Sequence, residues 1–379
     1  MAWPYQILLR KEEEKRRIAL MEDKRLIEYY EEASDEDSLV QSILVGRVER
    51  VLPDMKAAFV RIGLKSNGFL PLREADSYHR TSGNASLMSG QDILVQIKKA
   101  PKGNKGAFLT RDITLAGQYV LVMPCNRFVG LSKRIQDAGE RKRAEKLGRA
   151  IARERFGIIV RHAALFAGTD EVEQEAEALW QRWLDIRQRA ECTKAPAVMH
   201  REDSMADVLR RDYAARHEIT LDDSEESWNR LRVDEQIASA LKRRVELPGG
   251  GSLVIDEREA LHTIDVNSGS LVKAQAGTSL ALEENLSAVS EIARQIRLRN
   301  LGGIVLVDFI DMDTDFEREQ VLTAMEQAIS DDRTKTVIHG FTRLGLLEMT
   351  RKRTSDSLRD ALTVPCAACS ETGRVTGGQ

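Results

Sequence analysis

Two aspartates stand where a carboxylate is least expected. Asp308 lies in GIVLVDFID, and Ile304 to Ile310 is otherwise continuously apolar. Such a run predicts a strand buried on both faces. A carboxylate there costs on the order of several kcal/mol unless its charge is paired, and a divalent cation at a strand edge is one way to pair it. Asp265 ends a preceding hairpin in TIDVNSGS, and Asn267 projects to the same side because strand side chains repeat every second residue. Two carboxylates and an amide then converge at one edge. That donor set suits magnesium, which takes oxygen ligands, uses one or two protein carboxylates and keeps waters that a phosphate or a nucleophile can replace. The matching chemistry is phosphodiester hydrolysis, in which the ion neutralises charge developing on the phosphate and lowers the pKa of an attacking water. The same spacing equally fits a structural arrangement in which Asp265 caps a turn and Asp308 pairs with an arginine such as Arg343.

A second group carries binding chemistry. Phe59 and Phe69 fall in short strands, and Lys98, Lys102 and Lys105 crowd the loop KKAPKGNKG. Aromatic rings beside a cationic edge suit single-stranded nucleic acid, whose bases stack and whose phosphates need countercharge. One or both phenylalanines fit barrel core as an alternative, Phe59 as well as it fits RNA contact, whereas Phe69, which follows Asn67-Gly68 at a strand start, fits RNA contact better. Arg343 is counted with the RNA-contacting cations. The third group is Cys366 and Cys369 in VPCAACSETG. Structural zinc takes four ligands, so this knuckle is half a site. Two copies of the chain would complete it across a two-fold axis. Cys125 and Cys192 lie in unrelated contexts, and a redox dithiol would want a thioredoxin-like strand before the motif.

The elements that must position these residues follow from the pattern. Residues 1–37 read as strand, turn and strand, with Gln6 to Leu9 and Ile18 to Met21 as the apolar pieces, closed by an acidic loop. From Leu39 to about Gly117, ILVGRVERVL, KAAFVRIG, NGFLPL and DILVQIKKA have the spacing of a small β-barrel. Arg141 to Arg155 reads as helix, Gly157 to Arg161 as strand and Glu171 to Ala190 as helix, with Val172, Ala176, Leu179, Trp180 and Trp183 on one apolar face. Residues 208–244 are charged and show no sheet pattern. Beyond Gly249 a hairpin, Ser252 to Ile255 and Ala260 to Asp265, leads to a helix from Ser279 to Arg299 that stops at Gly302-Gly303. The strand carrying Asp308, a helix from Phe316 to Ser330, a strand near Lys335 to Ile338 and LGLLEMTRKR complete an alternating α/β unit.

At 379 residues the chain is long enough for several domains, and 42% hydrophobic with 31% charged residues excludes a disordered or fibrous protein. No apolar run is long enough to span a bilayer, and the amino-terminal segment lacks the apolar core of a signal peptide, so a cytoplasmic location is expected. The net charge of -3 does not announce a nucleic-acid binder. Its distribution leaves room for one: bases gather at Lys98 to Arg111 and Lys133 to Arg155, acids at Glu31 to Asp37 and Asp170 to Glu177.

Taken in order, AAFVRIG, NGFLPL, KGNKGAFLT, TIDVNSG, EIARQIRLRNLGGIVLVDFIDM, GLLEMTRKR and the cysteine knuckle resemble the catalytic half of the ribonuclease E/G family. The resemblance covers nearly the whole chain. It implies an α+β multidomain protein: an S1 (OB-fold) barrel at 38–117 inserted in a trimmed ribonuclease-H-like subdomain at 1–37 and 206–245, a 5′-sensor-like segment at 118–205, a deoxyribonuclease-I-like α/β catalytic domain at 246–363 and a zinc-link from 364. It implies a magnesium-dependent endoribonuclease for single-stranded RNA, leaving 5′-phosphate and 3′-hydroxyl ends. Asp265 and Asp308 match the magnesium ligands, Asn267 the asparagine that orients the site, and Phe59, Phe69 and Lys105 the barrel positions that hold RNA. Cys366 and Cys369 match the zinc-link joining two protomers.

Three departures bear on the transfer. Arg161 matches the sensor arginine, but His162 stands where the family has threonine. Between Leu221 and Val233 the chain is shorter than the family pattern. No small domain follows the knuckle, so a homodimer is expected. An RNA-binding or scaffold protein with weak or no cleavage is the alternative these departures leave open.

Overall fold

The computed structural model describes residues 5–13, 15–33, 40–74, 87–99, 101, 105–201, 204–214, 217–248, 250–269 and 279–364. The chain divides into two compact units, one built mainly from residues 32–219 and the other from residues 3–11, 17–31 and Thr220 onward. Among the described residues no helix is long and apolar enough to cross a membrane.

The discontinuous unit begins with three strands where the sequence pattern indicated two: β1 (Tyr5–Lys11), β2 (Lys15–Glu22) and β3 (Arg25–Ala33). The third strand, RLIEYYEEA, is masked in the sequence by its glutamates. One of these, Glu28, is buried and paired with Arg297 at 2.9 Å. The charged segment 208–244 supplies an edge strand, β14 (Ile219–Asp222), giving the order β14-β1-β2-β3, and helices at Glu225–Arg230 and Val233–Ala240. Trp228, Val233 and Ile237 close a core with Leu8, Met21, Leu26 and Leu298. The remainder of the first unit is thus inserted in the chain between β3 and β14.

A six-stranded sheet forms the rest of this unit. It runs β15 (Arg244–Glu246), β16 (Ser252–Glu257), β17 (Leu261–Asn267), β18 (Gly303–Asp308), β20 (Leu347–Arg351), β19 (Thr336–Phe341). All neighbours are antiparallel except β17 and β18. A parallel pair needs a crossover, and the helix Leu280–Leu298 provides it. Its Leu282, Val289, Ile292 and Ile296 pack with Ile264, Val305 and Val307, and Val321 and Met325 of the helix Asp315–Ile329 join them. Ser279 caps the first helix by accepting from the Leu282 amide, and Thr314 with Glu317 forms a capping box on the second. The crossover helix ends on Asn300, at φ 51°, with Leu301 N–H donating to Ile296 O at 3.0 Å. Gly303 then turns the chain into β18 at φ 114°, a conformation that only glycine adopts readily.

The other unit holds a closed five-stranded barrel of S1/OB-like connectivity: β4 (Ile43–Leu52), β5 (Ala57–Arg61), β6 (Gly68–Pro71), β8 (Phe108–Thr110) and β7 (Asp92–Lys99), with β4 paired to β7 to close it. The β6–β8 pair is parallel and the rest antiparallel. Leu44, Val48, Val60, Leu70, Val95 and Leu109 fill the interior. The short β8 is invisible to strand patterning because it contributes three residues. A second sheet, β11 (Val129–Leu131), β12 (Gly157–Val160), β10 (Val120–Met123) and β9 (Leu115–Ala116), packs with helices Ala138–Ala152 and Thr169–Glu191. Val172, Ala176, Leu179 and Trp183 are buried as the period indicates, and Trp180 packs against Phe156 at 5.1 Å between ring centroids. β13 (Ala197–His200) extends the barrel sheet beside β4.

Arg351, at the end of β20, donates from Nε to Asp332 Oδ2 at 2.7 Å and from a terminal nitrogen to Asn300 Oδ1 at 2.8 Å, with both members of the ion pair buried. Arg351→Met should lower stability by about 3–5 kcal/mol, because Asp332 is left charged in the interior. A urea midpoint for the six-stranded unit that does not move would show that the pair contributes nothing.

Candidate functional site

Asp265 lies in β17 and Asp308 ends β18, directly paired in the parallel register. Adjacent strands are about 4.8 Å apart and residues in register share a face, so the two carboxylates stand side by side. Along β17, His262, Ile264 and Val266 are buried, while Thr263, Asp265 and Asn267 are exposed. The Asn267 amide donates to Asp265 Oδ2 at 2.7 Å. The Asp308 carboxyl is held above the ordinary aspartate range, first by lost solvation against the sheet and then by the charges of Asp265 and Asp311.

This corrects the expectation of a strand buried on both faces. The two helices cover one face only, and Ile304 is 42% exposed on the other. Asp308 is accordingly exposed rather than deeply buried, and the partial loss of solvation that remains outweighs the repulsion from either Asp265 or Asp311. The structural alternative does not describe the arrangement either. Asp265 sits within a strand, and Arg343 occupies the exposed turn between β19 and β20, with no ion pair to Asp308 among the described residues.

Two buried residues on the crossover helix, both missed in the sequence, hold the strand ends. Asn285 donates to Ile310 O at 2.8 Å and accepts from Ile310 N–H at 3.0 Å, fixing the chain just past Asp308. Glu284 accepts from Gly269 N–H at 3.2 Å, fixing the chain just past Asn267. Asn285 is 0% exposed. A signal was available: Asn285 lies three residues after Leu282 and four before Val289, so it is a polar residue on the apolar stripe. Gly269 has its own constraint. A Cβ there would lie 2.4 Å from the Gly250 carbonyl carbon, so the glycine run near 250 packs directly against the end of β17.

The donors around this pair are all oxygens, from Asp265, Asp308 and the Asn267 side chain, with Asp311 adding charge. Among the described residues no group of three or more His, Cys, Asp or Glu forms a ready metal cage. Two adjacent carboxylates, neither of them in an ion pair with a cation among the described residues, nevertheless fit magnesium, which takes few protein ligands and completes its shell with water.

On the barrel, Phe59 and Phe69 are half-buried on the outer surface, directly opposite one another on β5 and β6. Their centroids are 6.0 Å apart at 64°. Phe108, not singled out in the sequence, continues the row from β8, 6.0 Å from Phe69 at 51°. Neither Phe59 nor Phe69 is barrel core: Ala58, Val60 and Leu70 take those positions. Lys105 is exposed just before Phe108, and Lys102 lies outside the described residues.

Arg161 follows β12. Its guanidinium donates to Gly117 O at 2.7 Å and to the Asp212 carboxylate, so its charge is already compensated. Gly117 is itself held by Glu175, whose carboxylate accepts from the amides of Gln118, Tyr119 and Val120. His162 opens a 3-10 turn and meets Phe166 edge to face at 5.2 Å. Cys366 and Cys369 lie outside the described residues. Of the other two cysteines, Cys192 is exposed, and Cys125 is buried, with its thiol pushed up to about 12 by that burial.

A closed barrel with an aromatic row on its surface, joined in one chain to a sheet whose central strands carry paired carboxylates, defines a mixed α+β protein with a barrel module and an acidic site. The sequence profile of the Ribonuclease E/G family matches residues 114–230 and 214–354, two segments that overlap near the shortened stretch between Leu221 and Val233. Ribonuclease G of Escherichia coli K12 is 36% identical over 400 residues, covering 95% of this chain and 82% of that protein. Ribonuclease G of Haemophilus influenzae has the same identity and coverage. Ribonuclease E of Haemophilus influenzae is 35% identical over 403 residues, covering 96% of this chain and 43% of its own length. The chain belongs to the ribonuclease E/G family.

If Asp265 and Asp308 share a divalent ion, magnesium should raise the thermal midpoint of the unmodified chain, by roughly 2–4 °C per kcal/mol of binding linkage. Asp308→Asn removes one of the repelling charges. It should melt higher than the unmodified chain in chelator and gain little from magnesium. An undiminished magnesium shift in this variant, measured by calorimetry, would place the ion elsewhere.

Proposed function

We propose that the protein is an endoribonuclease that hydrolyses phosphodiester bonds in single-stranded RNA, with Asp265 and Asp308 as magnesium ligands. The in-register pairing of these two aspartates on the exposed face of the two central strands carries the proposal, in a chain whose relatives are named ribonuclease G and ribonuclease E. Bound there, magnesium would offset charge developing on the scissile phosphate and acidify a water. Asn267 holds the Asp265 carboxylate by a hydrogen bond that leaves its other oxygen available. Asn285 and Glu284 act as positioning residues, because each fixes the backbone beyond a carboxylate without reaching the carboxylate itself. Phe59 and Phe69 offer rings to unpaired bases, and Lys105 and Arg343 offer exposed charge to phosphates. Attack by water breaks the bond from phosphorus to the 3′ oxygen. The upstream fragment keeps a 3′-hydroxyl and the downstream fragment a 5′-phosphate.

The state of Arg161 favours cleavage that does not depend on the RNA 5′ end. A terminal phosphate would have to displace Asp212 from the guanidinium. Cys366 and Cys369, with the same pair from a second chain, are proposed to hold one zinc ion in a homodimer.

Incubation with a short unstructured RNA, in magnesium or in chelator, tests the main proposal. Cleavage should require the metal, yield 5′-phosphate ends, fall at least about 100-fold in Asp308→Asn, and run equally fast on 5′-monophosphate and 5′-hydroxyl substrates. Tight RNA binding with no magnesium-stimulated cutting would favour the scaffold alternative. Metal analysis of the purified protein should give about half a zinc per chain, lost with the dimer in Cys366→Ser; one zinc per monomer would refute the shared site.

A further inference from the structure

The strands of the barrel are not regular where they flank the aromatic row. On β4 the register passes from Val48 opposite Val60 to Arg50 opposite Phe59, so Glu49 is an extra residue. On β7 it passes from Ile97 opposite Leu109 to Lys99 opposite Phe108, so Lys98 is extra. Both are bulges, and each reverses the face that follows it. Val48 and Ile97 point into the core; in unbroken strands Arg50 and Lys99, two residues on, would point there too. The bulges turn both outward, where they are exposed.

Reading across the strand order β4-β5-β6-β8-β7, directly opposed residues therefore run Arg50, Phe59, Phe69, Phe108, Lys99. The charges on this surface are sorted in the same way. The extra residues are neutralised, Glu49 by Arg61 at 3.4 Å and Lys98 by Glu74 at 2.8 Å. Arg50 and Lys99, at the ends of the row, have no ion pair among the described residues.

We propose that Phe108, Arg50 and Lys99 complete a stripe across the barrel that holds single-stranded RNA running over the strands, with Phe108 as a third base-stacking ring and the two cations as phosphate contacts at its ends. The proposal rests on the reading of this face as RNA-binding and extends it. Centroid separations of 6.0 Å exceed the ~3.4 Å spacing of stacked bases. Each base therefore meets its own ring only when the strand is splayed, which selects unpaired RNA over a duplex. The rings are inclined to one another, so none is covered by a parallel neighbour.

The test is binding of a labelled oligoribonucleotide to the full chain in chelator, read by anisotropy, with 2-aminopurine in the oligonucleotide to report stacking. Phe69→Ala tests the underlying reading and Phe108→Leu tests the inference, since leucine keeps the apolar bulk on the barrel and removes the ring. Phe108→Leu should weaken binding by about 5- to 150-fold and relieve part of the 2-aminopurine quenching, and Phe108→Tyr should restore both. Arg50→Ala and Lys99→Ala should each lower the slope of log affinity against log salt by about 0.7. Loss in Phe69→Ala with none in Phe108→Leu would overturn the third ring while leaving the two-ring face intact. No change in either variant would remove the RNA-binding reading itself. Unaltered salt slopes would exclude Arg50 and Lys99 as phosphate contacts.

Discussion

Asp265 and Asp308 sit side by side on parallel strands, so like charges are held together on the open face of the sheet, where neither makes an ion pair among the described residues. That contact is unfavourable without a cation, and the surrounding structure keeps it from relaxing. Parallel pairing fixes which residues are neighbours, but it obliges the chain to leave the sheet and return. The returning helix is fixed at both ends, by the Ser279 cap and by the left-handed Asn300. From its buried stripe Glu284 and Asn285 reach the two strand ends they must hold. A pair of repelling groups held this rigidly suits the proposed role of the two carboxylates as ligands of a positive ion.

The support extends to the first strands of the chain. The crossover helix meets them through buried or half-buried charge: Arg297 with Glu28 at 2.9 Å, Arg25 with Glu291, and Arg294 donating to Leu26 O at 2.7 Å. Removing one partner of such a pair leaves an uncompensated charge, which costs more than the pair contributes. The helix that positions the acidic pair is thus tied on one side to the sheet bearing that pair and on the other to β1–β3. The barrel solves a different problem with irregularity rather than rigidity, since two bulges bring cations out beside a row of rings.

Much of this was legible in the sequence because it depends on local period. The crossover helix, the hairpin before it and four of the five barrel strands follow from alternation and the 3.6-residue repeat, and Asp265 and Asn267 share a face for the same reason. Asn285 was also within reach, as a polar residue on an apolar stripe. What composition did not give was the third strand, RLIEYYEEA, which was not read as an element, and the open face of GIVLVDFID, which looked too apolar to have one.

The sequence alone determined which groups are present and on which side of their own element each lies, because a period is a property of consecutive residues. Pairing register is a property of distant segments. Only the tertiary structure decided that Asp265 faces Asp308 across the parallel ladder, that Arg161 is occupied by Asp212, and that bulges set Arg50 and Lys99 at the ends of a row completed by Phe108. Each depends on where one segment stops against another, and a shift of one residue would turn every side chain to the opposite face.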